Sequence, residues 1–236
     1  MDLKEYLREG MKKSDIIITE EKTEKLLQFM YIVLRENKKI NLTAITDERE
    51  FIEKHIIDSA LSTKYIHNKG NLIDIGSGAG LPGIVLKIIN DNMNILLLDS
   101  LNKRVKYLNN LIDEMSLNNI KAIHARAEEA AHDEIYREKF DYVTARAVAP
   151  LNILCEYTLP FIKTQGKFIA LKGSKGKEEL ESSKNAIGSL GCRFKDIHCL
   201  ELPYSDAKRD ILIIEKIKNT EKKYPRKQAR IKKAPL

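Results

Sequence analysis

Cysteine, histidine and long apolar runs are all scarce in this 236-residue chain, and each scarcity closes off a class of protein. The three cysteines, Cys155, Cys192 and Cys199, are odd in number and include no C-x-x-C pair. That argues against a disulfide framework or a thiolate metal site and fits the reducing cytoplasm. The five histidines are scattered, so no metal-ligand set is expected. No window approaches the roughly 18 consecutive apolar residues that a spanning helix needs, so no membrane role is expected. The opening residues Met1-Asp-Leu-Lys-Glu-Tyr6 lack the apolar centre of a secretory signal. A hydrophobic fraction of 43% and a charged fraction of 32% exclude a disordered chain. The length suffices for one large core or two modest ones.

Acid is nearly missing from one end. Residues Lys216–Leu236 hold nine basic side chains and a single acid, Glu221, a net charge of +8. The whole chain carries +7, so the 215 residues before that segment sum to −1. A near-neutral body with a basic tail excludes a uniformly basic, histone-like protein and marks one place where a polyanion could dock.

Residues 20–39 read as an amphipathic helix with Leu26, Leu27, Met30, Val33 and Leu34 on one face. A second helix begins near Thr46 or Asp47, with Glu50 placed for a capping box and Phe51, Ile52, His55 and Ile56 on one side. The Asn41-Leu-Thr-Ala-Ile45 segment is the hinge between them, and the helical region extends to about Asn68. From Asn71 short apolar runs alternate with helical stretches. The runs are Leu72–Ile75, Ile95–Leu98, Ala122–Ala125, Tyr142–Ala145 and Lys167–Leu171. Continuous buried strands separated by helices predict an α/β fold with a parallel sheet covered on both faces. Arg193–Leu200 and Ile211–Ile217 are joined by too short a loop for a parallel crossover, so they form an antiparallel pair at the sheet edge. Gly173–Gly176 and the tail read as the loose segments. Three parts are expected: a helical extension (1–68), an α/β domain (69–218) and the tail (219–236).

Asp74-Ile-Gly-Ser-Gly-Ala-Gly-Leu-Pro-Gly83 ends the first strand and opens a helix over Leu81–Ile89. Gly78-Ala-Gly80-Leu-Pro-Gly83 is a G-x-G-x-x-G, whose glycines allow a tight turn and close approach of the backbone to a ligand. Asp99, 19 residues beyond Gly80, ends the second strand where a carboxylate can accept both hydroxyls of a ribose. This much suits a dinucleotide as well as S-adenosylmethionine, since both carry adenosine. Two features favour the latter. A carboxylate at Asp74 would repel a pyrophosphate but attract a sulfonium and an ammonium. Arg126-Ala-Glu-Glu129, behind the third strand, is placed to cap a helix and accept from an adenine amino group. Glu128 and Glu129 would also serve a helix N-terminus with no ligand at all.

Methylation of exocyclic amines usually uses an Asn/Asp-Pro-Pro-Tyr-type loop after the fourth strand; here that loop is Thr144-Ala-Arg-Ala-Val-Ala-Pro150. Methylation at cytosine C5 needs a cysteine nucleophile, and Cys155 sits in the apolar pattern Leu151–Tyr157, where a core role fits better. A guanine N7 presents a free lone pair and needs neither device. Alignment alone could then supply up to about 7–11 kcal/mol. Arg146, beside this loop, suits bidentate contact with a carboxylate or phosphate, or an ion pair at the sheet's carboxyl end. His55, Asp58 and Ser59 form a polar cluster that fits catalysis or a buried network equally. Lys172, ending the fifth strand, is a candidate for RNA phosphate or a solvated lysine.

These motifs together resemble the RsmG (GidB) family of bacterial 16S ribosomal RNA guanine-N7 methyltransferases. The resemblance runs from about Asn41 to the C-terminus. It rests on Asn41–Ile45, His55–Ser59, the Asp74–Gly83 loop, Asp99-Ser100, Arg126–Glu128, Phe140–Ala147, Leu171–Gly173 and Tyr224-Pro-Arg-Lys227. One departure is Ala229 and Ile231, where the family's tail commonly continues with Gly and Pro. The resemblance implies a Rossmann-like class I S-adenosylmethionine-dependent methyltransferase. Its fold would be a mostly parallel seven-stranded sheet with an antiparallel edge strand and a helical N-terminal extension. It further implies action on a guanine of the 530 loop and carries cofactor contact onto Gly76, Leu81, Ala127, Glu128 and Arg146.

The combined reading assigns Gly76, Ser77, Gly78, Gly80 and Leu81 to the methionine side of the cofactor, Asp99 to ribose, and Ala127 with Glu128 to adenine. Arg146, which also positions substrate, joins Lys172, Arg226, Lys227 and Arg230 as candidate RNA contacts. The expected partner is 16S rRNA or the small ribosomal subunit, met by a monomer. The rivals are a methyltransferase for a protein or small molecule, a non-catalytic ribosome-assembly factor, and a nicotinamide enzyme.

Overall fold

The computed structural model describes residues 1–67 and 69–236; Asn68, the expected end of the helical region, lies outside the described residues. Helix α1 (Leu3–Lys13), which the sequence patterning did not reveal, is capped by the Asp2 carboxylate accepting from Glu5 N. Helix α2 (Glu20–Ile40) starts at Thr19, whose hydroxyl accepts from Lys22 N, and stops at Asn41 in the left-handed region. Asp47 caps α3 (Glu48–Phe51) through Glu50 N at 2.9 Å. That helix continues as a π-helical stretch (Ile52–Ile57), then α4 (Asp58–Ala60) and a 3-10 turn (Leu61–Tyr65). A wide turn of this kind often accompanies functional sites, and this one carries His55 toward the sheet.

Seven strands follow: β1 (Gly70–Ile75), β2 (Met93–Asp99), β3 (Ile120–His124), β4 (Phe140–Arg146), β5 (Ile162–Lys172), β6 (Cys192–Glu201) and β7 (Lys208–Lys216). Helices α5 (Gly83–Ile89), α6 (Asn102–Glu114), α7 (Ala127–Ala130), α8 (Leu151–Thr158), α9 (Gly176–Glu181) and α10 (Lys184–Ser189) intervene. The sheet order is β3-β2-β1-β4-β5-β7-β6. Strands β1 to β5 pair in parallel, while β7 pairs antiparallel with both β5 and β6. The antiparallel edge pair thus forms as the short loop required.

Alternation along the strands sends side chains to two separate cores, as a two-residue period dictates. Leu72, Ile95, Leu97, Tyr142, Ile169, Leu171, Ile211 and Ile213 face one way and pack with Leu7, Leu26, Phe29, Met30, Phe51 and Ile56 from the N-terminal helices, together with α5 and α6. Ile73, Ile75, Leu96, Leu98, Val143, Ala145, Phe168, Leu212 and Ile214 face the other way, under α7, α8 and α10. The N-terminal helices therefore share a core with one face of the sheet.

The tail is not loose, as its composition suggested. Lys216 completes β7, and its buried ammonium donates to Leu159 O at 2.9 Å and to the Thr220 hydroxyl. Arg137 donates to Tyr224 O at 2.9 Å and Thr220 O at 2.8 Å. Beyond them helix α11 (Gln228–Lys233) seats Ile231, fully buried, in the second core. Carbonyls of the descending chain need donors once they leave water, and Arg137 supplies them.

Candidate active site

Chain order reverses between β1 and β4, and in open α/β sheets the crevice at such a point takes the ligand. Here the glycine loop leaves β1 with Gly76 at φ +73°. A Cβ at Gly76 would stand 2.7 Å from Val148 Cγ2, so the β1 loop and the β4 loop close on each other across a glycine. A Cβ at Gly83 would fall inside Leu97 and 3.0 Å from Asp74 Oδ2. Asp74 is fully buried beneath the loop, where Oδ2 accepts from Gly83 N at 3.1 Å and Oδ1 from the Thr144 hydroxyl at 3.0 Å. The β1–β4 register sets Asp74 beside Thr144. Burial raises the Asp74 carboxyl to about 6, despite these donors. This corrects the expectation that Asp74 faces a cationic ligand: it braces the turn instead.

Asp99, also buried, ties the β2 end to the same loop. Its Oδ2 accepts from Gly78 N and its Oδ1 from Leu101 N, both at 2.9 Å. Each oxygen keeps a further lone pair for another donor. Ser77, Gly80 and Leu81 are buried, and the Ser77 hydroxyl donates to Asp74 O at 3.0 Å.

Gly76, Ser100 and Ala127 line a cleft of about 350 Å³, together with Ile75, Leu98, Val148 and Tyr157. Gln228 and Lys232 of α11 complete its lining. Glu128 lines an adjoining hollow with Arg126, His132, Arg226 and Lys227. Val148 and Ala149 also border a second cavity, of about 640 Å³, lined by Lys54, His55, Asp58, Arg146, Lys172, Glu179 and Arg209.

The second cavity has a fixed polar floor. Asp58 Oδ2 accepts from Arg146 Nη1 and Oδ1 from Arg209 Nε, each at 2.9 Å. Arg146 also donates to Lys54 O at 3.0 Å and lies 3.2 Å from His55 Nδ1. His55 Nε2 stands 2.7 Å from Thr43 Oγ1. Asn37 Oδ1 holds the hinge by accepting from Leu42 N and Thr43 N, which is how the Asn41–Ile45 motif positions the imidazole. Burial, then the Arg146 charge, lowers His55 to about 4, so the ring is neutral near pH 7. Ser59 leaves this network: it is fully buried and its hydroxyl has no partner among the described residues.

Two candidate RNA contacts are engaged internally. Lys172 donates to Ala149 O at 2.7 Å and pairs with Glu179 at the same distance, which fixes the loop after β4. Arg226 forms a bidentate pair with the fully buried Glu156. Lys227 and Arg230 are exposed. Sequence reasoning missed Arg209, Tyr157, Val148 and Gln228. Asp58 and Arg209 meet across 151 positions, and no local motif signals such a pair.

A family model described as rRNA small subunit methyltransferase G matches residues 22–211. The chain belongs to the rRNA small subunit methyltransferase G family. It is 44% identical over 238 residues to the ribosomal RNA small subunit methyltransferase G of Alkaliphilus metalliredigens, with all of both chains covered. To its counterpart in Acetivibrio thermocellus it is 45% identical over 237 residues, covering 100% of this chain and 98% of the relative. Among solved structures it is similar to M. jannaschii TYW2 in complex with AdoMet. There the TM-score is 0.54 at 17% identity, over 69% of this chain and 76% of that one. It is also similar to the precorrin-6y C5,15-methyltransferase of Geobacter metallireducens, with TM-score 0.51 at 13% identity over 68% and 86%. At such identities the likeness concerns the fold, a class I methyltransferase sheet.

Members of this family use S-adenosylmethionine, and the cleft fits it. The glycine turn brings Gly76 to the wall of the cleft. Ile75, Leu98 and Ala127 give apolar walls for a purine, and the buried Tyr157 hydroxyl has no partner among the described residues. Bound there, S-adenosylmethionine supplies a methyl group already activated on a sulfonium.

Proposed function

We propose that this protein methylates N7 of a guanine in the 530 loop of 16S ribosomal RNA, with S-adenosylmethionine as methyl donor. It would act as a cytoplasmic monomer on the rRNA or the small ribosomal subunit. One observation carries the choice of nucleophile: every acid or base lining the larger cavity is already engaged. Asp58 is held by two guanidiniums, Glu179 by Lys172 and the Leu151 N–H, and His55 by Arg146 and Thr43. Such a cavity is poor at removing a proton and suits an atom that attacks with a free lone pair. Cys155 is fully buried and burial pushes its thiol far up, which argues against cytosine C5 chemistry.

In this reading Gly76 and Val148 shape the passage between donor cleft and base cavity. Arg146 is fixed before substrate arrives, so alignment costs little at the moment of transfer. Of the candidate RNA contacts on the tail, Lys227 and Arg230 are the two that are exposed and not engaged internally among the described residues. Removing both should lower the salt slope of RNA binding by about 0.7–0.9 per lost contact. The deciding experiment incubates unmodified 16S rRNA and small subunits with labelled cofactor and maps the methylated nucleotide. Label on a guanine N7 of the 530 loop is expected; label on another ring atom or nucleotide would overturn the proposal.

A further inference from the structure

The segment from Tyr224 to Lys233 is held against the body more firmly than a mobile RNA arm requires. Arg226 N donates to Glu156 Oε2 at 3.0 Å, and the Arg226 guanidinium grips the same buried carboxylate. His132 Nε2 stands 2.8 Å from Pro225 O, and Ile231 is fully buried. These anchors bring Gln228 and Lys232, four residues apart on one face of α11, to the wall of the donor cleft. Beside them in the same cleft lies Tyr157, whose hydroxyl is buried without a partner among the described residues. The Gln228 carboxamide lies beside that hydroxyl as a weak hydrogen-bonding neighbour, short of full hydrogen-bond geometry. Its Oε1 accepts from Arg126 Nη1 at 3.3 Å, which turns the amide nitrogen away from Arg126.

We infer that the C-terminal helix is part of the cofactor site: Gln228 and Tyr157 together bind the adenosyl end of S-adenosylmethionine. This rests on the reading of the cleft as the donor site. A purine edge presents acceptors and donors side by side, which an amide and a phenol can meet together. A buried hydroxyl left unpaired costs free energy that a ligand recovers on binding. Lys227 and Arg230, neither of which lines the cleft, stay outside this contact. The basic tail thus serves two partners, with its Gln228 side on the cofactor.

The test is calorimetry on the full chain with S-adenosylmethionine and with 5′-methylthioadenosine, which lacks the amino-acid end. Gln228→Ala and Tyr157→Phe should each weaken both ligands about five- to tenfold, the scale of one hydrogen bond. Equal losses for both ligands place the contact at the adenosyl end. Tyr157→Phe removes an unsatisfied hydroxyl, so the ligand-free melting temperature should hold or rise while affinity falls; a merely structural role would lower it. Gln228→Ala should leave RNA affinity unchanged. If the wild type binds both ligands and the variants match it, the inference fails. If the wild type binds neither, the reading of the cleft itself fails.

Discussion

His55 and Asp74 titrate in opposite senses over the same pH range, and their opposition can be measured. The imidazole ionises at about 4 in the folded chain against an ordinary 6.5. Between those values the unfolded chain binds the extra proton, so the stability due to His55 is full above pH 6.5 and lost as pH falls toward 4. The Asp74 carboxyl ionises at about 6 against an ordinary 3.8. There the folded chain binds the extra proton, so its contribution is full below pH 3.8 and lost as pH rises through 6. At roughly 1.4 kcal/mol per unit, each amounts to about 3 kcal/mol at most, and half-buried His55 to somewhat less through solvent screening. In the native protein the two slopes nearly cancel between pH 4 and 6. His55→Gln should unmask the Asp74 term, so that stability rises relative to wild type as pH falls. Asp74→Asn should do the reverse. Urea unfolding at half-unit pH steps reads both slopes, and referring each variant to wild type removes every other titrating group. A His55→Gln curve parallel to wild type from pH 4 to 6.5 would refute the reasoning.

Asp58→Ala strips one carboxylate from two guanidiniums and should destabilise by about 3–5 kcal/mol; a loss under about 1 kcal/mol in urea unfolding would mean Arg146 and Arg209 are held by other groups. Gly83→Ala forces a methyl into Leu97 and should cost about 1–3 kcal/mol, seen as a lower denaturation midpoint. Ala147 sits at φ +56°, a conformation that favours glycine. Ala147→Gly should therefore be neutral or stabilising by up to about 1 kcal/mol, and a clear loss of stability in the same assay would contradict the strain assigned to it.

Much was legible along the chain because the rules that govern it are local. Continuous apolar runs gave the strands and period-3.6 patterning gave α2, the short stretch between Leu200 and Ile211 gave the antiparallel edge pair, and the glycine spacing located the turn after β1. Asp47 was readable as a helix start, since capping depends on residues three or four apart, and Asn41–Ile45 as the hinge before it. Helix α1 escaped because charged residues crowd a short segment whose buried side, Leu7 and Met11, is narrow.

Sequence by itself determined the fold class, the family and the place of the donor loop, all encoded by neighbours in the chain. Only tertiary structure decided which charges are free. Asp74, Lys172, Lys216 and Arg226 look like ligand-facing or solvated groups in the sequence, yet each is spent on an internal partner. Those partners — Thr144, Glu179, Glu138 and Glu156 — lie 7 to 78 positions away, and Lys216 meets Glu138 under the sheet. A charge count along the chain carries no record of such pairing, because desolvation and partner geometry exist only once the chain is packed. The same holds for the tail, whose net charge of +8 suggested an arm for RNA. Folding carries part of it back over the cleft beside the glycine loop, because Ile231 needs a core and Glu156 needs a cation.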